Sequence, residues 1–240
     1  LIYAGGDDVL AILPLEDALG CAAEVRQHYL NCFKHSGIPT TISAAIEFAH
    51  VKTPLGQVLG DAHKLLDDVA KDGAGRDALA VRVWKTSGMV LEWAQPWQVV
   101  LQGGRSDAPV VVQQLASRFE QPVPLGSGHE VRFSSKFFFK IEEHFAVLNP
   151  PDAKSEPILS EQEAQDLLAV DFWASADNRA HLTLAEVGPL IQPLLEQCRP
   201  CKRLLDKPKE AWPRSKKLKA DGALLVRFLA IKGLEQGDQR

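Results

Sequence analysis

The first apolar positions fall in two short runs, Leu1-Ile2-Tyr3-Ala4 and Val9-Leu10-Ala11-Ile12-Leu13, with Gly5-Gly6-Asp7-Asp8 between them. Glycine supplies the turn conformations that other residues resist, so this pattern predicts a hairpin of two largely buried strands. Leu15, Ala18, Leu19, Ala22, Tyr29, Cys32 and Phe33 then recur at helical spacing, interrupted on that face only by Arg26, and Gly37 and Pro39 close the helix. Ile42, Ala44, Ile46 and Phe48 alternate with Ser43, Ala45 and Glu47 as in a strand. A second helical stripe follows from Leu55 through Val58, Leu59, Ala62, Leu65, Leu66 and Val69, ending at Gly73 and Gly75. Leu79, Val81 and Val83 alternate again, and Ser87-Gly88 turns into Met89-Val90-Leu91-Glu92. The predicted order is hairpin, helix, strand, helix, strand, strand, which implies helices layered on a sheet.

Near Gly103-Gly104 the period changes and helices dominate. Asp107-Ala108-Pro109 reads as a helix start. Ser134-Ser135 precedes Phe137-Phe138-Phe139, and Ser160 with Glu163 and Thr183 with Glu186 are capping boxes. The second box leads a stripe of Leu184, Val187, Leu190, Ile191, Leu194 and Leu195. Asp221-Gly222 opens a last helix. The expected class is α+β: residues 1–104 form part of a sheet layer with helices packed on it and residues 105–240 a helical domain. The chain begins inside a strand-like run without Met, so it reads as a fragment, with the first strand-helix unit of the sheet expected upstream.

Composition changes this picture little. Of 240 residues, 45% are apolar and 24% charged, as in ordinary globular proteins. The formal net charge of -4 hides an asymmetry: residues 199–219 hold nine Lys/Arg and two acids, a local +7 that leaves -11 for the remainder. Those basic side chains, with Trp212 among them, could hold a nucleic-acid backbone and stack a base, or form a solvated loop. Four cysteines are too few for a disulfide scaffold. Cys21 and Cys32, three turns apart on one helix, read as core, and Cys198-Arg199-Pro200-Cys201 lacks the second ligand pair of a zinc site. The seven histidines show no ligand spacing. No run is long and apolar enough to predict a membrane span, and a cytoplasmic protein is expected.

The chemistry concentrates at Asp7 and Asp8. Adjacent carboxylates held at a hairpin tip repel each other unless a cation neutralises them, and Mg²⁺ is commonly held by one or two carboxylates plus substrate phosphates. Gly5 and Gly6 leave room for a nucleotide against the backbone. Such a site suits attack of a ribose hydroxyl on an α-phosphate. The same tetrapeptide is also ordinary turn chemistry.

The run from Leu1 through Gly5-Gly6-Asp7-Asp8 to Leu10 resembles the palm signature of the large subunit of type III CRISPR effector complexes, in its Cmr-type (III-B) form. Ser43-Ala44-Ala45-Ile46 with Ala49-His50-Val51-Lys52-Thr53-Pro54-Leu55, then Ala70-Lys71 and Gly75-Arg76-Asp77-Ala78-Leu79, resemble the family's following strand, helix and strand. Ser134 to Phe138 and Asp221 to Leu225 resemble its helical domain. The resemblance implies a partial ferredoxin-like palm of nucleotidyl cyclase/polymerase type and an all-α C-terminal domain. It further implies synthesis of cyclic oligoadenylates from ATP with Mg²⁺ or Mn²⁺, switched on by target RNA in an antiviral complex with guide RNA and other subunits.

Transferred by position, Asp7 and Asp8 bind metal, and Gly5, Gly6, Ser43, Lys71 and Arg76 lie against nucleotide. Related palms draw a further acidic ligand from an upstream strand, so this fragment alone is expected to be inactive, and any nuclease domain would also lie upstream. Departures stand beside these matches. One extra residue separates Lys71 from Gly75-Arg76, and Val9 follows Asp8 where the more distant diguanylate cyclases differ. Lys71 also suits a helix C-terminus, Arg76 could cap the turn, and Ser43 could be the wet side of a strand. An inactive scaffold that binds small subunits and RNA, and a diguanylate cyclase-like enzyme, are the rival functions.

Overall fold

The computed structural model describes residues 1–6, 8–85, 88–119, 123–124, 130–149, 156–175 and 182–237. The chain opens with β1 (Tyr3–Gly5) and β2 (Asp8–Leu10), then α1 (Leu15–Phe33), β3 (Ala44–Phe48) and α2 (Leu55–Lys64), which runs straight into a π-helix (Leu65–Gly73). β4 (Ala78–Lys85) and β5 (Gly88–Pro96) follow. Beyond them lie α3 (Trp97–Val100), a 3-10 turn (Gln102–Gly104), α4 (Val111–Ser117), the two-residue strands β6 (Val123–Pro124) and β7 (Glu130–Val131), α5 (Ser135–Leu148), α6 (Glu161–Trp173), α7 (Leu184–Gln197), a 3-10 turn (Lys209–Ala211) and α8 (Asp221–Gly237). The predicted order of the first half is observed. Ser87, placed in the β4–β5 turn by the sequence, lies outside the described residues.

The central sheet has the order β3-β4-β5, with β3 parallel and β4 antiparallel to their neighbours β4 and β5. Alternation along β4 separates two faces. Leu79, Val81 and Val83 join Phe48, Leu91 and Trp93 on one, in a core completed by α1, α4, α5, α7 and α8. Ala78 and Ala80 lie on the other beneath Leu65, Ala70 and Ala74 of the π-helix region. Small residues on that face let the π-helix approach closely. Because both faces are covered, Ala78 through Val83 are all buried, Arg82 included.

Three expectations are corrected. β1 and β2 pair only with each other among the strands, and the hairpin is not buried: Tyr3 and Val9 are each 55% exposed. Three residues per strand, apart from the main sheet, leave no second layer to cover them. Asp107-Ala108-Pro109 does not begin a helix. Asp107 is tied to Arg105 by two hydrogen bonds, Leu101 bridges Val110, and α4 starts at Val111. Cys32 is exposed and Cys21 only half-buried, because α1 buries Ala18, Leu19 and Arg26 instead. The caps of the helical half are as read. Ser134 Oγ accepts from Phe137 N, and Glu163 and Glu186 accept from the backbone N–H of Ser160 and Thr183. No helix among the described residues is long and apolar enough to cross a membrane.

Candidate active site

The hairpin register sets Gly5 opposite Asp8, with Gly6 in the turn. Gly6 has φ 63°, in the left-handed region where glycine carries no Cβ penalty. A Cβ at Gly5 would crowd the Tyr3 ring, which folds back over it. Asp8 is exposed and makes no ion pair among the described residues. Asp7 lies outside them. An exposed carboxylate such as that of Asp8 is the kind of oxygen donor that divalent cations take, and a Cβ at Gly6 would meet nothing within 4 Å. No group of three or more His, Cys, Asp or Glu among the described residues is arranged to hold a metal by itself.

Lys71 and Arg76 sit at the end of the π-helix. Closure there is five residues apart: Ala74 N–H donates to Val69 O at 2.8 Å and Arg76 N–H to Lys71 O at 3.0 Å. The π-turn takes up one residue more than an α-turn, which accommodates the extra residue noted between Lys71 and Gly75-Arg76. Lys71 Nζ is 2.7 Å from Asp67 Oδ1. The Lys71 hydrogen bond and charge hold the Asp67 carboxyl below its ordinary range, and Arg76 contributes to the same pull. Lys71, Arg76 and Asp67 therefore share one patch of surface. Ser43 precedes β3 by one residue, in phase with Ala45 on the face the π-helix covers. Lys71 and Arg76 are joined through the backbone bond from Arg76 N–H to Lys71 O, and no hydrogen bond or ion pair among the described residues joins Asp8 to Ser43, Lys71 or Arg76.

Residues 1–80 match the family model of the Cas10/Cmr2 second palm domain. That segment of the chain is similar to a Cas10/Cmr2 palm. Its α+β architecture and its helix-strand order fit a nucleotidyltransferase-like palm fold, and the palm segment contains all seven candidate residues. A 102-residue stretch is 39% identical to the CRISPR system Cmr subunit Cmr2 of Pyrococcus furiosus, covering 42% of this chain and 12% of that protein. The chain thus spans a small part of this relative.

Several side chains around the palm were not singled out by sequence reading. Arg26, which seemed only to interrupt the α1 stripe, is buried and paired with Asp77, its Nε and Nη2 donating to Oδ1 and Oδ2 at 3.1 and 3.2 Å. The interruption itself was the available signal, since an arginine on an apolar face needs a buried partner. Under α2, Arg82 meets Glu47 (3.6 Å), Asp61 (2.6 Å) and Glu92, and Trp84 Nε1 donates to Asp61 at 2.9 Å. The basic stretch is also changed by the structure. Trp212 is 5% exposed with its Nε1 donating to Lys207 O, so its ring is not free to stack a base. Arg199 pairs with Glu161, Lys216 with Glu156, and Lys209 donates to Gln98 O. Cys198 and Cys201 are both buried thiols, and burial pushes the Cys198 thiol up to about 12.

Proposed function

We infer that this chain is part of a nucleotidyltransferase that makes cyclic oligoadenylates from ATP, within an RNA-guided type III CRISPR effector complex. The observation that carries the reading is the Gly5-Gly6-Asp7-Asp8 turn at the tip of an antiparallel hairpin, inside a segment that matches the Cas10/Cmr2 second palm. The similarity to the Pyrococcus Cmr subunit supports membership of a Cmr-type complex.

In each step the 3′ or 2′ hydroxyl of one adenylate attacks the α-phosphorus of the next ATP. A new O–P bond forms, the α–β phosphoanhydride bond breaks, pyrophosphate leaves and the hydroxyl proton passes to solvent. Ring closure repeats the step within one chain. Asp7 and Asp8 are the residues that would hold Mg²⁺ or Mn²⁺, which when bound supplies charge neutralisation at the phosphates and acidifies the attacking hydroxyl. Gly5 and Gly6 let the nucleotide lie on the backbone. Lys71 and Arg76 offer two cations to the triphosphate, Lys71 exchanging Asp67 for phosphate oxygen. Ser43 would contribute a hydroxyl to the same nucleotide.

The test uses the full-length subunit in its assembled complex with target RNA, ATP and Mg²⁺. Cyclic adenylates are expected, and Asp7→Ala or Asp8→Ala should abolish them. Absence of such products from the wild type would sink the reading. If the substitutions changed no output while removal of residues 105–240 abolished assembly, the scaffold function would stand instead. A preference for GTP would point to the diguanylate cyclase-like one.

A further inference from the structure

The turn at residues 73–77 is strained, and three separate elements hold it. Gly75, Arg76 and Asp77 have φ of 85°, 63° and 45° in succession. Left-handed backbone at two non-glycine residues is costly and persists only where surrounding contacts over-determine it. Those contacts are present. From α1, Arg26 grips the buried Asp77 carboxylate with both hydrogen bonds while its guanidinium lies 5.5 Å from the centre of the Trp97 ring. From the start of α3, Trp97 N–H donates to Asp77 O at 2.9 Å. From the loop after α7, Arg203 N–H donates to Ala74 O at 2.8 Å, and Arg203 Nε lies 4.0 Å from Asp77 Oδ2. Gly75 lies so close to the Arg203 carbonyl that a Cβ there would overlap it. The result is a division of neighbours. Asp77 is turned inward and buried, and Arg76 is exposed beside Lys71.

We propose that the Arg26–Asp77 pair and the Arg203 backbone form a latch that positions Arg76 and Lys71 for the triphosphate of a bound nucleotide. This rests on the cyclase reading above. Arg26, Asp77 and Arg203 are positioning residues: they touch the turn and leave the phosphates to Arg76 and Lys71. The latch also ties the palm to the helical half, because Arg203 follows α7. Asp77 suits its place twice over, since Asp and Asn tolerate the left-handed region better than most residues and the carboxylate neutralises a buried guanidinium.

The experiment compares Asp77→Asn, Gly75→Ala and Asp8→Ala with wild type, each as full-length subunit in the target-bound complex. Asp77→Asn keeps the tolerance for positive φ and removes the charge, whereas Gly75→Ala pries the Arg203 loop away without touching a charge. Binding of a non-hydrolysable ATP analogue, ATP turnover, and amide hydrogen exchange across residues 70–78 are the readouts. Both latch variants are expected to weaken the analogue about tenfold, the loss of one charge-assisted contact, to raise the ATP KM more than they lower kcat, and to speed exchange at the turn. Asp8→Ala should abolish turnover and leave exchange at the turn as in wild type. Faster exchange with unchanged affinity would overturn the positioning role while the cyclase reading survives, and so would wild-type exchange in both latch variants. A wild-type complex that binds the analogue yet forms no adenylate product would overturn the cyclase reading alone. One that binds no analogue would overturn both.

Discussion

Glu47 carries a side chain only 2% exposed, on the sheet face beneath α2, and neither of its oxygens accepts a hydrogen bond. Burial pushes its carboxyl up to about 8 from an ordinary 4.5, reinforced by the hydrogen bond and charge of Asp61, while Arg82 opposes the shift. The protonated form can donate to Asp61. Burial also raises the Asp61 carboxyl, but the hydrogen bonds of Glu47, Arg82 and Trp84 more than offset it and leave it below its ordinary range. The sign follows from proton linkage. The folded chain keeps a proton on Glu47 that the unfolded chain releases above pH 4.5, so stability falls as pH rises from about 4.5 to about 8 and then levels. Asp61 contributes the opposite slope at lower pH, stability being lost as its carboxylate is protonated. Glu47→Gln keeps the shape and the donor without the titration. It should flatten the decline between pH 4.5 and 8 and raise stability at pH 8.5 by an amount on the order of a few kcal/mol. Urea unfolding at a series of pH values measures this, and an unchanged slope in Glu47→Gln would refute it.

At the scale of elements, those governed by local rules were legible and those governed by distant partners were not. The alternation of Leu79, Val81 and Val83 placed β4, and Ser160 with Glu163 placed the start of α6, because a period or a cap is written within a few residues. Ser160→Ala removes the acceptor for Glu163 N and one of the two donors to Glu163 Oε2. It should cost about 1 kcal/mol in thermal or urea unfolding, and a change below 0.3 kcal/mol would show that α6 is held by packing alone. The π-helix was invisible to the same reading. Leu65, Leu66 and Val69 fit an α-helical stripe as well as a π one, and only the extra residue before Gly75-Arg76 marked the place. The pairing of Arg26 with Asp77 spans 51 residues, and no local pattern reports a partner at that distance. The hairpin shows the reverse failure. Its two apolar runs flank a turn as expected, yet apolar content promised burial that a two-stranded ribbon cannot supply for itself.

Across the whole molecule, the division of labour between a sheet layer and a helical half was readable from the change of period near Gly104, but their dependence on each other was not. The face of β3-β4-β5 that bears Phe48, Leu79, Val81, Val83, Leu91 and Trp93 shares one core with Phe137, Phe138, Val187, Ile191, Leu225 and Val226. Polar contacts stitch the same interface. Trp93 Nε1 donates to Gln197 O at 3.0 Å, Gln95 Nε2 to Arg199 O at 2.7 Å, Gln197 Nε2 to Val99 O at 3.0 Å, and Glu92 N–H to Asp221 Oδ1 at 3.2 Å. Gly222 packs so tightly on Gln197 O that a side chain there would overlap it. Each buried large apolar side chain contributes about 1.5–3 kcal/mol, so uncovering this row removes an amount comparable with the roughly 5–15 kcal/mol by which a domain is ordinarily stable. A chain ending after Gly104 should therefore aggregate or bind a hydrophobic dye and lack a cooperative melt. A soluble fragment with a sharp transition would show that the sheet layer stands alone. The same cut removes Arg203 from the 73–77 turn. A palm prepared without its helical half would thus lose both the cover of its sheet and one of the three supports of Arg76, and its failure to bind ATP would say nothing about Asp7 and Asp8. Substitution within the full-length subunit separates the two causes, since Asp8→Ala leaves core and latch intact.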